Sequence, residues 1–358
     1  MKEDKIIFQI GQAVDRLITV PMSNWAIIKG IPLPMLYEEA RKKAGGPLTL
    51  TAAQRILDVT KPGDKIIIAT GFVILDYMKA ETDGPIGAAS LARAFSVGLN
   101  VTPVIVSEQT ILKTIGQTCN AAGLHSSDFS SNVRNPRRVI LEEFPVDKEE
   151  AQKAASQLLD RISPSAVISI ERPGWNDKKI HHTGRGFDIS SITAKIDYLF
   201  EEAKRRGILT IGVGDLGNEL GMGYIQEAIK KWVPNGSKCL CPCEAGIAAS
   251  FVPDIGIICN ISNWGAYGIE ACLAAILGEL EIMHDGNLES RIIQESVRAG
   301  AMDPASGLLR PYVDGEPEKI HVYIVELLRN IISNRIQESI FTKEYRSVWE
   351  KRQQGGST

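Results

Sequence analysis

No apolar run in this 358-residue chain reaches the roughly 18–20 residues that a membrane-spanning helix needs, so a membrane partner is not expected. A surplus of one charge is missing as well. The formal net charge is −3 and the basic residues are scattered among acidic ones, which excludes the basic footprint of a nucleic-acid binder. The amino end, Met1-Lys2-Glu3-Asp4-Lys5, is not followed by a signal-peptide pattern, and the expected compartment is the cytoplasm. Six cysteines are too sparse for a disulfide framework. What remains, 44% hydrophobic and 23% charged residues, is the balance of a globular protein with a sizeable core. Small-molecule chemistry is the function class left standing, with self-association open.

Short apolar runs recur at Lys65–Thr70, Val101–Val106, Val139–Glu142, Ala166–Ile170, Leu209–Val213 and Ile255–Cys259, mostly separated by stretches of helical periodicity. Runs of this length with no polar alternation read as strands buried on both faces. The expected fold class is therefore α/β, a largely parallel sheet covered by helices on both faces. Residues 1–62 lack β-branched runs and are expected to form an N-terminal helical extension, with loops at Pro32-Leu33-Pro34 and Gly45-Gly46-Pro47. Residues 63–342 are expected to form the α/β catalytic domain, and 343–358 a polar C-terminal tail. Further expectations are an exposed loop over His125–Arg138, a helix from Asp188 to Arg206, and a closing helix from Glu318 to Phe341.

Cys239, Cys241 and Cys243 stand together. Zinc is one reading of them, but no second Cys/His pair follows at suitable spacing, and alternate positions would share one face of a strand. Buried thiols on a strand are the expectation.

In a parallel sheet, ligands bind beyond the carboxyl ends of the strands, which directs attention to four polar, glycine-rich segments. After the first strand come Thr70-Gly71-Phe72 and then Glu81-Thr82-Asp83-Gly84-Pro85-Ile86-Gly87. The backbone N–H groups from Gly84 to Gly87 could hold a substrate anion, or the segment is a capped helix start. A nucleotide cofactor is not expected, because the phosphate-loop lysine is missing. After Ile170 come Glu171-Arg172-Pro173-Gly174, where Glu171 is a ligand or base, or else the ion-pair partner of Arg172 or Arg185. After Val213 come Gly214-Asp215-Leu216-Gly217-Asn218-Glu219. Asp215 and Glu219, with Asn218 as a neutral oxygen donor, suit a hard divalent cation, Mg²⁺ or Mn²⁺. After Cys259 come Asn260-Ile261-Ser262-Asn263-Trp264, in which Asn263 could bind a substrate carboxylate or cap the next helix, with Trp264 as an apolar wall.

Taken together, Glu81-Thr82-Asp83-Gly84-Pro85, Glu171-Arg172-Pro173-Gly174, the Gly214–Gly223 stretch and Ser262-Asn263-Trp264-Gly265-Ala266-Tyr267 resemble the D-glutamate cyclase C-terminal domain family. The chain departs from that pattern at Lys178-Lys179, in place of an acid-glycine pair, and at Leu216, in place of a glycine. The resemblance implies an α/β fold and cyclisation of D-glutamate to 5-oxo-D-proline with loss of water. For that reaction Glu171 or Asp215 is the expected proton acceptor and His182 the donor to the leaving oxygen. Arg172 or the helix end at Gly84 would hold the other carboxylate, with Thr70, Gly71, Asp83, Asn218 and Asn263 completing the substrate site. Metal-dependent hydrolysis of a phosphate ester would use the same Asp83, Glu171, Asp215 and Glu219 as ligands. A non-catalytic module that binds an acidic amino acid is the third alternative.

Overall fold

The computed structural model describes residues 2–23, 30–130 and 136–336, together with Ser347 and Glu350. Seven parallel strands form the central sheet: β1 (Lys65–Thr70), β4 (Thr102–Ser107), β5 (His125–Ser127), β6 (Arg138–Glu143), β7 (Ala166–Ile170), β8 (Leu209–Gly214) and β9 (Ile255–Ile258). Their spatial order is β5-β6-β4-β1-β7-β8-β9. From β1 the chain builds outward through β4 to the β5 edge, then returns to β7 and builds the other way. The switch point therefore lies between β1 and β7, and a crevice is expected beyond their carboxyl ends. Two short hairpins stand outside this sheet, β2–β3 (Val73–Ile74 with Lys79–Ala80) and β10–β11 (Tyr312–Val313 with Glu316–Pro317).

The central strands are apolar throughout because both faces are covered. Ile66 and Ile68 of β1 point into one hydrophobic cluster, and Ile67 and Ala69 into the other, as a two-residue period requires. The second cluster is closed by two helices, α6 (Lys148–Ile162) and α7 (Asp197–Arg205), through residues such as Ala155, Leu159, Leu199 and Phe200. The first is larger and is packed by α1 (Lys2–Ile18), α2 (Leu33–Ala44), α3 (Leu48–Val59), α4 (Pro85–Gly98), α5 (Gln109–Ala121), α9 (Ser262–Leu277), α10 (Gly286–Arg298) and α11 (Glu318–Ile336). One more short helix, α8 (Gln226–Trp232), precedes β9. Among the described residues no helix is long and apolar enough to cross a membrane.

The helices of residues 1–62 contribute to the same hydrophobic cluster as the sheet. Buried Asp15 of α1 accepts hydrogen bonds from the backbone N–H of Leu48 (2.6 Å) and Thr49 (3.2 Å), and so caps α3 from a distance.

Several local expectations change. Pro32-Leu33-Pro34 opens α2 rather than forming a loop, since proline is tolerated in a first helical turn. His125–Ser127, expected to be loop, is the edge strand β5, because pairing with Arg138–Ile140 satisfies its backbone. Residues 131–135 of that segment lie outside the described residues. The helix expected from Asp188 begins only at Asp197. The closing helix is described to Ile336, and the remainder of the 318–341 expectation and nearly all of the 343–358 tail fall outside the described residues.

Candidate active site

Beyond the switch point lies a cavity of about 610 Å³, a volume suited to a small substrate. Its floor is acidic: Glu81, Glu171, Asp215, Glu219 and Asp314 all line it, with Asn218 beside them. The upper wall combines the β2–β3 hairpin (Phe72 to Tyr77), the Thr183–Phe187 segment and Pro304–Gly307. Arg185 is the one basic side chain among the described lining residues.

The acids reach this floor through local devices. Glu171 leaves β7 in the left-handed region (φ 42°), where a non-glycine residue is held against a cost of about 1 kcal/mol. Its N–H donates to the Val213 carbonyl, and its own carbonyl accepts from Gly71 N–H, each at 3.2 Å. Its carboxylate accepts from the Ser262 hydroxyl at 2.6 Å. Glu219 folds back under its own loop and accepts from Leu216 N–H (3.0 Å) and Gly217 N–H (2.7 Å). A Cβ on Gly214 would stand 2.6 Å from that carboxylate, so glycine at the end of β8 leaves Glu219 room to fold back. Asp314 comes from a different part of the chain, the turn of the β10–β11 hairpin. Asp314 and Gly315 both have positive φ (51° and 83°), the Asp-Gly turn that closes two-residue hairpins.

Two overlapping triads result, Asp83–Asp215–Asp314 and Glu171–Asp215–Glu219, with one oxygen of each member within 4.8 Å of the others. Asp215 belongs to both. Burial pushes the proton affinities of Glu81, Asp83, Glu171 and Asp215 well above the usual carboxylate range, and the charges of the neighbouring acids add to it. Burial also raises Glu219, against the opposing effect of its backbone N–H donors. Asp314 is pushed up to about 6, again by burial first, although it lies within hydrogen-bond reach of Asp215 and Asp83. Carboxyls gathered this closely either keep protons or hold a cation. Oxygen-only donors with neutral Asn218 nearby fit a hard divalent ion. Asn218 Oδ1 is buried with no partner, while its Nδ2 donates to the His182 carbonyl at 2.9 Å.

The other residues singled out from the sequence are placed as follows. Asp83 accepts from the N–H groups of Ser262 (2.9 Å) and Asn263 (2.8 Å) and thereby caps α9. Asn263 returns the favour: its Oδ1 accepts from Gly84 (2.9 Å) and Gly87 (2.7 Å) at the start of α4. The helix end expected to hold a substrate anion is thus filled by a protein amide. A Cβ at Gly84 (φ 89°) would come within 2.8 Å of Glu171 Cβ, which is why the loop can approach β7 only as glycine. Thr70 donates its hydroxyl to the Ile170 carbonyl (2.8 Å), and Gly71 packs beneath Ile111. Arg172 does not line the cavity. Its buried guanidinium pairs with Glu108 (2.6 Å) and donates to the carbonyls of Gly71 and Ala194, tying three loop starts together. The alternative that Glu171 pairs with Arg172 is accordingly not realised. Trp264, expected as a cavity wall, is fully buried and donates to His321 Nδ1 at 3.0 Å. The His182 imidazole faces thiols: its Nε2 lies 3.2 Å from Cys241 Sγ and 3.6 Å from Cys243 Sγ.

Glu81 and Asp314 went unassigned as site residues in the sequence. Val313-Asp314-Gly315-Glu316 does carry the Asp-Gly hairpin signal, but nothing local says where that hairpin docks.

A parallel sheet that opens at its switch point into an acid-floored cavity defines an α/β protein with a polar cavity beyond its strand ends. The chain belongs to the D-glutamate cyclase-like, C-terminal family, whose model matches residues 34–329. It is also similar to human mitochondrial D-glutamate cyclase, 31% identical over 223 residues, which cover 59% of this chain and 33% of that protein. The chain therefore spans about a third of the length of this curated relative.

Proposed function

We propose that the chain is a D-glutamate cyclase-like lyase that closes D-glutamate to 5-oxo-D-proline and water at the Asp215 cavity, with a divalent Mn or Mg ion as cofactor. The observation that carries this reading is the convergence of acids from the β1, β7 and β8 loops and the β10–β11 hairpin on Asp215, with Arg185 the one basic side chain among the described lining residues. In the reaction the amine nitrogen bonds to the side-chain carboxyl carbon and a C–O bond breaks. The departing oxygen leaves as water with the two protons that the ammonium nitrogen gives up. A cation held by Asp83, Asp215 and Asp314 would polarise that carboxyl group.

The chain's own groups supply the remainder. Glu171, with its raised proton affinity, is suited to take a proton from the amine near neutral pH. The Asn218 carbonyl oxygen, lacking any partner, can accept from the ammonium group and aim it. Arg185 supplies positive charge for the carboxylate that does not react. The hairpin at Phe72–Tyr77 and the side chain of Phe187 offer apolar cover that limits water at the reacting carbon.

A second reading, metal-dependent phosphate-ester hydrolysis, is favoured by one feature: a carboxylate shared by two triads is the arrangement that bridges paired metal ions. The test assays the protein with Mn²⁺ or Mg²⁺ in parallel on D-glutamate, L-glutamate and a generic phosphate ester, with Asp215→Asn as control. Metal-dependent lactam formation that disappears in Asp215→Asn supports the cyclase. Phosphate release with the same dependence replaces it by the hydrolase. Saturable glutamate binding with no turnover of any substrate reduces the site to a binding module.

A further inference from the structure

A second cluster of ligating side chains lies outside the carboxylate floor. Cys239, Cys241 and Cys243 were expected to alternate along a strand, but their segment is irregular, and turns at Ser237–Glu244 bring all three sulfurs to one point. Cys239 Sγ stands 3.5 Å from Cys241 Sγ and 3.3 Å from Cys243 Sγ. The fourth corner, which the local sequence does not contain, is His182 Nε2, at 3.2 and 3.6 Å from Cys241 and Cys243. One ligand atom from each of the four lies within 4.8 Å of the other three.

We propose that His182, Cys239, Cys241 and Cys243 form a structural zinc site. Four ligands around tetrahedral zinc, with Zn–S of about 2.3 Å and Zn–N of about 2.0–2.1 Å, stand roughly 3.5–3.8 Å apart, close to the separations found here. Three soft thiolates and an imidazole select zinc over the hard ions that suit the acidic floor. The set is complete with four protein ligands and leaves no open position for water, which makes it a structural and not a catalytic centre. Binding converts three thiols to thiolates and releases three protons, with the imidazole neutral, so the occupied site carries one net negative charge.

The surrounding architecture gives this centre a purpose. Residues 171–196, between β7 and α7, and residues 233–254, between α8 and β9, contain no helix or regular strand. Irregular segments longer than about 12–15 residues inside a compact domain are uncommon and call for something to fix them. Apart from the sulfurs, a few hydrogen bonds join the two: Asn176 Nδ2 donates to the Gly246 carbonyl (2.7 Å) and Leu240 N–H to the Gly186 carbonyl (3.0 Å). His182 immediately precedes the Thr183–Phe187 segment that walls the cavity, so zinc would anchor that wall to the segment before β9.

The test starts with the unaltered chain, purified under reducing conditions and gel-filtered into metal-free buffer, and measures bound zinc by elemental analysis. About one zinc per chain is expected, with the three clustered thiols slow toward a disulfide reagent until a mercurial releases the metal. Asp215→Asn should keep its zinc, whereas Cys241→Ser and His182→Ala should lose it, so failure here and failure of the carboxylate site are separable. If these variants do not fold, the cobalt-loaded unaltered chain decides, because a sulfur-rich tetrahedral site gives thiolate-to-cobalt charge-transfer and intense visible bands. A reduced chain that neither retains nor takes up zinc overturns the proposal, as does a pale octahedral cobalt spectrum or a disulfide joining two of the three cysteines in freshly prepared protein.

Discussion

Replacing Asp215 by asparagine should stabilise the metal-free protein while abolishing its response to metal. Asp215 has Asp83, Asp314, Glu171 and Glu219 as neighbours, and one oxygen from each member of either triad lies within 4.8 Å of the others. At an effective dielectric of about 20, two unit charges that close repel by at least about 3.5 kcal/mol. Keeping Asp215 protonated at about pH 8 instead costs up to roughly 5–6 kcal/mol, from about 1.4 kcal/mol per pH unit above an ordinary aspartate value. Either route costs at least about 3.5 kcal/mol, so Asp215→Asn should gain about 3.5 kcal/mol or more at about pH 8. Because the folded carboxyls bind protons more tightly than the unfolded ones, their favourable contribution is complete below the ordinary carboxylate range. It is lost as pH rises through the folded values, that of Asp314 being about 6. The gain should therefore shrink to about 1.5 kcal/mol or less at about pH 5. Urea unfolding of both proteins at the two pH values, with and without Mn²⁺, measures this directly. Mn²⁺ at about a hundred times its dissociation constant should raise the parent by roughly 2.7 kcal/mol and leave the variant unmoved. A variant less stable than the parent at both pH values, or one that responds fully to Mn²⁺, would refute the reasoning.

Two further outcomes follow from groups away from the cavity. Glu108→Ala strands the buried Arg172 guanidinium and should cost about 3–5 kcal/mol in chemical unfolding, whereas a cost below about 1 kcal/mol would mean that Arg172 is free to serve substrate. His284 sits between Glu270 (2.8 Å) and Glu289 (3.0 Å). Burial alone would push the imidazole down, but the two carboxylates outweigh it and hold it up at about 9. Its contribution to stability is fully present below about pH 6.5 and is lost as pH rises through about 9. The unfolding midpoint should fall over that window in the parent and be flatter in His284→Gln, and equal slopes would dismiss the assignment.

Much of this protein is written in short-range pattern. Runs such as Lys65–Thr70 and Ala166–Ile170 declare themselves as strands because a doubly covered sheet admits no polar alternation, and the observed bounds coincide with them. The strand-end rule then led to Glu171, Asp215, Asn218 and Glu219, since each lies within a few residues of a strand's carboxyl end and the chain cannot carry it far away.

Other features depend on partners distant in sequence. Arg172 and Glu108 are 64 positions apart, and a sequence with neither neighbour in view offers the guanidinium to a substrate. Gly84 and Gly87 have N–H groups that look free locally, but Asn263 fills them from 179 and 176 positions away. Asp314 reaches the cavity only because its hairpin docks beside loops from β1 and β8. Cys239, Cys241 and Cys243 lacked a fourth ligand by spacing, and the fold supplied His182 from the loop after β7. The physical reason is common to all four cases: periodicity, turn chemistry and strand ends are local properties of the backbone, whereas the partner of a charge, a helix end or a thiol is chosen by packing.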